Sequence, residues 1–236
     1  MPNETFYLDG IDARSYGIYL QKPVEFSEAV PVVEVQTIPG RNGDLIWETG
    51  SYENRSGSAS CFCLQKDVEK AISSAGRFLM GKKGYRRLET SDDPNHYWLA
   101  RVENSPRIEQ RLRMLAPFEI GFDCKPQRFV KSGENAVVFT DNGSLFNQYG
   151  QIALPFITLY GQGAGRLTIG DCVVEVKALN GVLYLDSDTQ NAYNDSGNQN
   201  LNINAPTFPV LGDGEVQIAF SGGIERVEII PRWWEL

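Results

Sequence analysis

Apolar and polar residues alternate in short runs along almost the whole chain. β-Branched and aromatic side chains fill the apolar positions, and Gly, Asn and Asp punctuate the runs. A period of two sets one strand face on a core and the other in water, so the pattern predicts a β protein. Asp9-Gly10, Gly170-Asp171, Asn180-Gly181 and Gly222-Gly223 each lie between alternating segments. Such pairs supply the positive φ angles that tight turns need, which predicts hairpin turns at all four. Arg166–Asp186 then reads as a three-stranded meander turning at Gly170-Asp171 and Asn180-Gly181. One segment breaks the period: Val68, Ala71, Ile72, Ala75, Phe78 and Leu79 follow helical spacing and predict an amphipathic helix from about Gln65 to Met80. Asp67 near its start and Gly81 just past its end suit the caps. A lone helix buried against strands points to a β-sandwich with a helical connection, not to βαβ units.

Proline restricts strand pairing, so Lys125-Pro126-Gln127-Arg128, following the apolar strand Phe118–Phe122, predicts a domain boundary near residue 128. Charge divides at the same place. Residues 1–128 hold 17 Lys+Arg and 18 Asp+Glu, a net of −1, whereas residues 129–236 hold 5 and 12, a net of −7. A near-neutral half associates with its own copies at little electrostatic cost and an acidic half stays solvated, so the first half is expected to assemble and the second to be exposed. Asn191, Asn194, Asn198, Asn200, Asn202 and Asn204 mark residues 190–204 as a long surface loop.

Chemistry is sparse. No apolar run approaches the roughly 20 residues that cross a bilayer, and residues 1–10 lack the basic start and apolar centre of a secretory leader. The chain is therefore expected to be made in a reducing cytoplasm. Cys61, Cys63, Cys124 and Cys172 form no Cys-x-x-Cys pair and read as reduced core thiols, with Cys61 and Cys63 on one strand face. The single histidine, His96, leaves no room for a two-histidine metal site and ties any triad to that one position, where a structural role is expected. Gly161-Gln162-Gly163-Ala164-Gly165 precedes a strand instead of a helix, so it reads as a turn and not a phosphate loop. Asp186-Ser187-Asp188 opens like a calcium loop, but Gln190 and Ala192 break the ligand spacing. Glu175, Asp186 and Asp188 are possible glycosidase carboxylates, with nothing to select a pair. The basic residues Lys82, Lys83, Arg86, Arg87, Arg107, Arg111 and Arg113 are interleaved with Glu89, Asp92, Asp93 and Glu109, which argues against sequence-specific DNA binding. No catalytic, cofactor or metal site is assigned.

Ile38-Pro39-Gly40-Arg41-Asn42-Gly43-Asp44-Leu45, followed by Gly50-Ser51-Tyr52-Glu53-Asn54, resembles the Pro-Gly-Arg-x-Gly and Gly-x-Tyr pattern of the siphophage distal tail protein family. Phe78-Leu79-Met80-Gly81, Gly84-Tyr85-Arg86-Arg87-Leu88 and Ser91-Asp92-Asp93-Pro94-Asn95-His96-Tyr97 are similar to the same family in the same order. So are Phe122-Asp123-Cys124-Lys125-Pro126 and Ile229-Ile230-Pro231-Arg232-Trp233-Trp234. The resemblance implies an all-β chain with one helix and two β-sandwich domains. Residues 1–128 would form a homo-hexameric ring, and residues 129–236 a galectin-like domain on its periphery. It further implies a structural virion protein of the phage tail tip or baseplate, assembled in the host cytoplasm. Such a ring joins the tail tube protein to the tip or baseplate protein and leaves a channel through which DNA passes without sequence recognition. Gly40, Arg41, Asn42, Gly43, Asp44 and Gly50 are the candidate interface, the glycines letting the loop turn sharply and project Arg41, Asn42 and Asp44. The bland alternative is that this loop only closes a hairpin. The alternative function is a carbohydrate-binding β-sandwich presenting Tyr184, Tyr193, Trp233 or Trp234 to a sugar, with a glycosidase third.

Overall fold

A computed structural model describes residues 4–63, 68–103 and 116–236. The chain is mostly β with one helix, and it divides into two compact units, one of Met1–Arg128 with Leu236 and one of Phe129–Glu235. Each has its own apolar core.

The first unit holds β1 (Phe6–Leu8), β2 (Ile11–Asp12), β3 (Ile18–Leu20), β4 (Glu25–Phe26), β5 (Pro31–Gln36), β6 (Leu45–Tyr52), β7 (Arg55–Cys63), α1 (Val68–Met80), β8 (Arg86–Thr90) and β9 (His96–Val102). It also holds most of β10 (Ala116–Val130). Its main sheet runs β2-β1-β8-β9-β10-β7-β3, with β4 also on β7. Alternation does what the sequence predicts: in β7 every second residue from Arg55 to Cys63 is buried, and in β8 the inward set is Arg86, Leu88 and Thr90. Ala75, Phe78 and Leu79 of α1 enter the core, Phe78 stacking on Tyr16 with centroids 4.5 Å apart. The side chains of Val68, Ala71 and Ile72 and the expected cap Asp67 lie outside the described residues, as do Arg107, Glu109, Arg111 and Arg113 of the basic cluster. Gly81 N–H closes the helix on Arg77 O at 2.9 Å. Arg86 completes that end, Nη1 donating to Phe78 O at 2.7 Å and Nε to Asp9 Oδ2 at 3.0 Å. A cation at the negative end of a helix is favourable, and Asp9 keeps the buried guanidinium paired. Lys82 also bonds Asp9, and Arg87 bonds Glu89, so these basic residues serve ion pairs within the unit.

Pro126 does not end its strand: β10 continues to Val130. Its ladder with β7 stops at Cys124↔Arg55, two residues earlier, so the missing proline N–H costs that ladder nothing. Cys61, Cys63 and Cys124 are buried free thiols, pushed up by burial to about 12, 11 and 12. At pH 8 native protein should therefore react with a disulfide reagent first at half-buried Cys172. The other three should be slower by more than about a hundredfold, because the thiolate is the reactive form. Denatured, unreduced protein should titrate all four, and a count below three would disprove the reduced state.

The second unit holds β11 (Val137–Phe139), β12 (Gly143–Asn147), β13 (Phe156–Ile169), β14 (Cys172–Asp186), β15 (Asn191–Asn194), β16 (Gly197–Asn198), β17 (Ile203–Asn204), β18 (Gly214–Ile230) and β19 (Trp234–Glu235). Its sheet runs β11-β18-β13-β14-β15-β16, with β12 on β18 and β17 on β14. Asp9-Gly10 and Gly170-Asp171 are turns as expected, but three other glycine signals are not. Gly161–Gly165 lies inside β13, Asn180-Gly181 inside β14, and Gly222-Gly223 inside β18. There is thus no meander turn at Asn180-Gly181. The glycines line up across the sheet, Gly161 opposite Gly181 and Gly165 opposite Gly222, and the register shifts there. They form a corner at which three long strands fold over, a common use of glycine with a bulge. Leu167, Ile169, Val174, Val176 and Ile218 on one side of the corner and Ile157, Leu159, Leu183, Leu185 and Val227 on the other meet in one core, so a single sheet makes both layers of the sandwich.

Residues 190–204 also differ from the expected open loop, since they contain β15, β16, a 3-10 turn and β17. Asparagine amides replace missing ladder partners. Asn200 Oδ1 accepts from Ala192 N at 2.6 Å, and Asn202 brackets Ala178 through N–H at 3.0 Å and C=O at 2.7 Å.

Candidate subunit interface

β5 and β6 form a two-stranded sheet joined to no other described strand. Val33 pairs Glu48, Glu34 pairs Trp47, Val35 pairs Ile46 and Gln36 pairs Leu45, with an irregularity between Pro31 and Val33. One face therefore carries Val33, Val35 and Ile46 and the other Leu45 and Trp47. Neither face is covered: Val35 is 58%, Ile46 60% and Trp47 61% exposed. A lone hairpin is at best marginally stable in water, and apolar side chains on both of its faces call for a partner.

The candidate residues sit on this hairpin. Gly40, Arg41, Asn42, Gly43 and Asp44 make its distal loop and Gly50 lies in β6, all exposed. Gly40, Gly43 and Gly50 have φ of 83°, 81° and 76° with open space where a side chain would go, so conformation and not crowding selects glycine. Thr37 Oγ1 bonds Asp44 Oδ1 at 2.8 Å and Arg41 N bonds Ile38 O at 3.1 Å, which fixes the loop. At the base, Glu53 N bonds Val30 O at 2.9 Å and Thr49 Oγ1 bonds Val32 O at 2.9 Å. The loop does close a hairpin, as the bland reading has it. The apolar surface belongs to the stems, at Val30, Val33, Val35, Ile46 and Trp47, which sequence reasoning did not single out. The signal was the pair of dense runs Val30–Val35 and Leu45–Trp47.

The other candidates fall into structural roles. His96 Nδ1 lies 2.6 Å from Asp93 Oδ1, and Arg128 Nε donates to Asp93 Oδ2 at 3.0 Å, so the histidine belongs to a turn clasp. Burial alone would raise the Asp93 carboxyl, but His96 and Arg128 hold it below its ordinary range. Asp186 is likewise held low, Arg232 at 2.6 Å outweighing burial, and Asp188 N closes a turn on the same carboxylate. Glu175 bonds Asn204. A glycosidase acid needs a raised carboxyl, so Asp186 is unsuited to that role. Trp233 is buried and Trp234 donates from Nε1 to Ile152 O at 2.9 Å, which removes Trp233 as a sugar platform. Trp234, Tyr184 and Tyr193 remain, the two tyrosines in a row with Phe156 at centroid spacings of 5.3 and 5.9 Å. Among the described residues no group of three His, Cys, Asp or Glu could hold a metal ion.

Among solved structures, the chain is similar over nearly its whole length to the crystal structure of the Dit protein of SPP1. The match has a TM-score of 0.74 at 16% identity and covers 97% of this chain and 98% of that one. That protein is described as a paradigm of the hub adsorption apparatus in phages infecting Gram-positive bacteria. This chain has the Dit fold. No family model matches the sequence, and no curated protein does. The likeness lies in architecture and chain length, while most side chains differ.

Proposed function

We propose that this chain is a distal tail protein of a long-tailed phage. Six copies form a ring through residues 1–128, between the tail tube and the tip or baseplate, and the ring encloses a channel for DNA. The near-full-length match to SPP1 Dit is the observation that carries this reading. The uncovered β5–β6 hairpin supports it physically. A closed ring needs two different patches per copy, and an apolar hairpin in a unit of net charge −1 offers one of them. The second unit, at −7, is a galectin-like domain on the periphery, and its charge keeps its copies apart. Location in the tail tip and contact with tube and tip proteins follow from this reading, and the protein acts as a structural part and not an enzyme. Native mass spectrometry of the full chain should find six copies of the 26.3 kDa subunit, held by contacts of at least about 1,000 Å². A species that stays monomeric at micromolar concentration overturns the ring.

A second reading, glycan binding by the second unit, has one observation in its favour: the row Tyr193, Tyr184 and Phe156 offers ring faces to a sugar. Micromolar binding of a cell-wall polysaccharide, abolished by Tyr184→Ala, would establish it.

A further inference from the structure

A cleft of about 500 Å³ in the first unit is lined by Arg55, Thr90, Trp98, Phe26, Asp93 and Arg128, with Glu28 and Asp92 among its acidic residues. Three buried hydrogen-bonding atoms of its lining residues have no partner: Arg55 Nη1, Thr90 Oγ1 and Trp98 Nε1. The Arg55 side chain is only 8% exposed. Its Nε donates to Ser27 O at 2.7 Å, and Nη2 lies 3.9 Å from Glu28, whose side chain is 96% exposed and loosely held. Thr90 and Trp98 are 3% and 4% exposed, and Trp98 lies flat on Phe26 with centroids 4.1 Å apart. A buried donor without an acceptor is costly, and a buried guanidinium N–H more so; native proteins leave very few. Three such atoms on one cleft mark a place built for an acceptor.

We propose that this cleft binds a carboxylate. The guanidinium supplies charge and a planar donor, and the indole N–H and threonine hydroxyl supply two more hydrogen bonds for two oxygens. Asp93 does not compete, since its oxygens already face His96 and Arg128. Glu28 is the weak counter-ion that the ligand displaces. Asp92, Asp93 and Glu28 together disfavour a doubly charged phosphate while leaving a single charge tolerable beside Arg55 and Arg128. The carboxylate comes either from a small molecule or from an acidic side chain of a neighbouring copy. The same chemistry serves both sources.

The indole N–H cross-peak of Trp98, assigned with Trp98→Phe, reads occupancy directly in the full-length chain. Sodium acetate, titrated at constant ionic strength against sodium chloride, should move that peak saturably, and inorganic phosphate should be weaker. Arg55→Lys should weaken acetate about tenfold, because the ammonium cannot match the planar fork. Should that variant fail to fold, exposed Glu28→Gln provides an independent arm. It should tighten acetate by up to about fivefold, the weight of one exposed ion pair. A response in dissociated chains that disappears in the assembled form assigns the carboxylate to a neighbouring copy, and a response in both assigns it to a small molecule. No saturable shift with acetate in either form, an equal response to chloride or phosphate, or a Glu28→Gln variant no tighter than the parent overturns the site and leaves buried water as its occupant.

Discussion

Replacing Val35, Ile46 and Trp47 together by glutamate should leave a folded monomer that no longer assembles. All three are more than half exposed, so their loss costs the isolated chain little, within about 0.5 kcal/mol for each surface change. In an assembled interface the same side chains are buried. A central aromatic or aliphatic anchor is then worth roughly 2 kcal/mol or more, and three buried charges add a desolvation penalty. Association should fall by at least about a thousandfold, which size-exclusion chromatography and native mass spectrometry would both register. Arg41→Glu at the loop tip separates stem from loop: assembly lost with the stem variant but kept with Arg41→Glu locates the contact on the strands. Intact six-copy rings in the stem variant would exclude the hairpin from the interface.

Gly161→Ala should abolish the second unit's stability, and Gly181→Ala, on the neighbouring strand of the same corner, should not. A methyl at 161 would sit 1.9 Å from Gly223 O at a φ of 151°, and the reciprocal methyl at 223 would sit 1.9 Å from Gln162 O. Both are backbone collisions that no rotamer relieves. Forced overpacking costs roughly 1–3 kcal/mol, and a strained backbone adds a similar amount. Together, at roughly 2–6 kcal/mol, these reach the low end of the stability of a small domain. At Gly181 a methyl meets nothing within 4 Å, so only the φ of 82° opposes it, at roughly 1–2 kcal/mol. Urea unfolding followed by circular dichroism should lose the second unit's transition in Gly161→Ala and merely shift it in Gly181→Ala. Equal midpoints for the two variants would show that the close approach does not hold the corner together.

Alternation from Arg55 to Cys63 and the helical spacing of Ala75, Phe78 and Leu79 were readable because each records one dominant force, burial of one face. The corner was not readable for a specific reason. A turn and a folded strand both ask for positive φ, so Gly161, Gly181 and Gly222 look alike in either role. Only the register, Gly161 against Gly181 and Gly165 against Gly222, separates them, and register is a property of strands distant in sequence. Asn200 and Asn202 misled in a related way, since an amide that marks a loop can also close a short ladder. The loop Gly40–Asp44 was visible through its glycines. The exposure of Val35, Ile46 and Trp47 was not, because a β-branched run reads the same whether its cover comes from its own chain or from another.

β13, β14 and β18 pass through both layers of the second unit, and their register shifts at the glycine corner between the layers. A residue inserted into one layer would turn the inner face of its strand outward as far as the corner, where the existing register shift lets an extra residue be absorbed as a bulge. Length variation is therefore expected at the corner and at the strand tips, at Gly170-Asp171, at residues 187–190 and at residues 205–213. Within each layer the strands keep their residue count while the loops beyond them diversify.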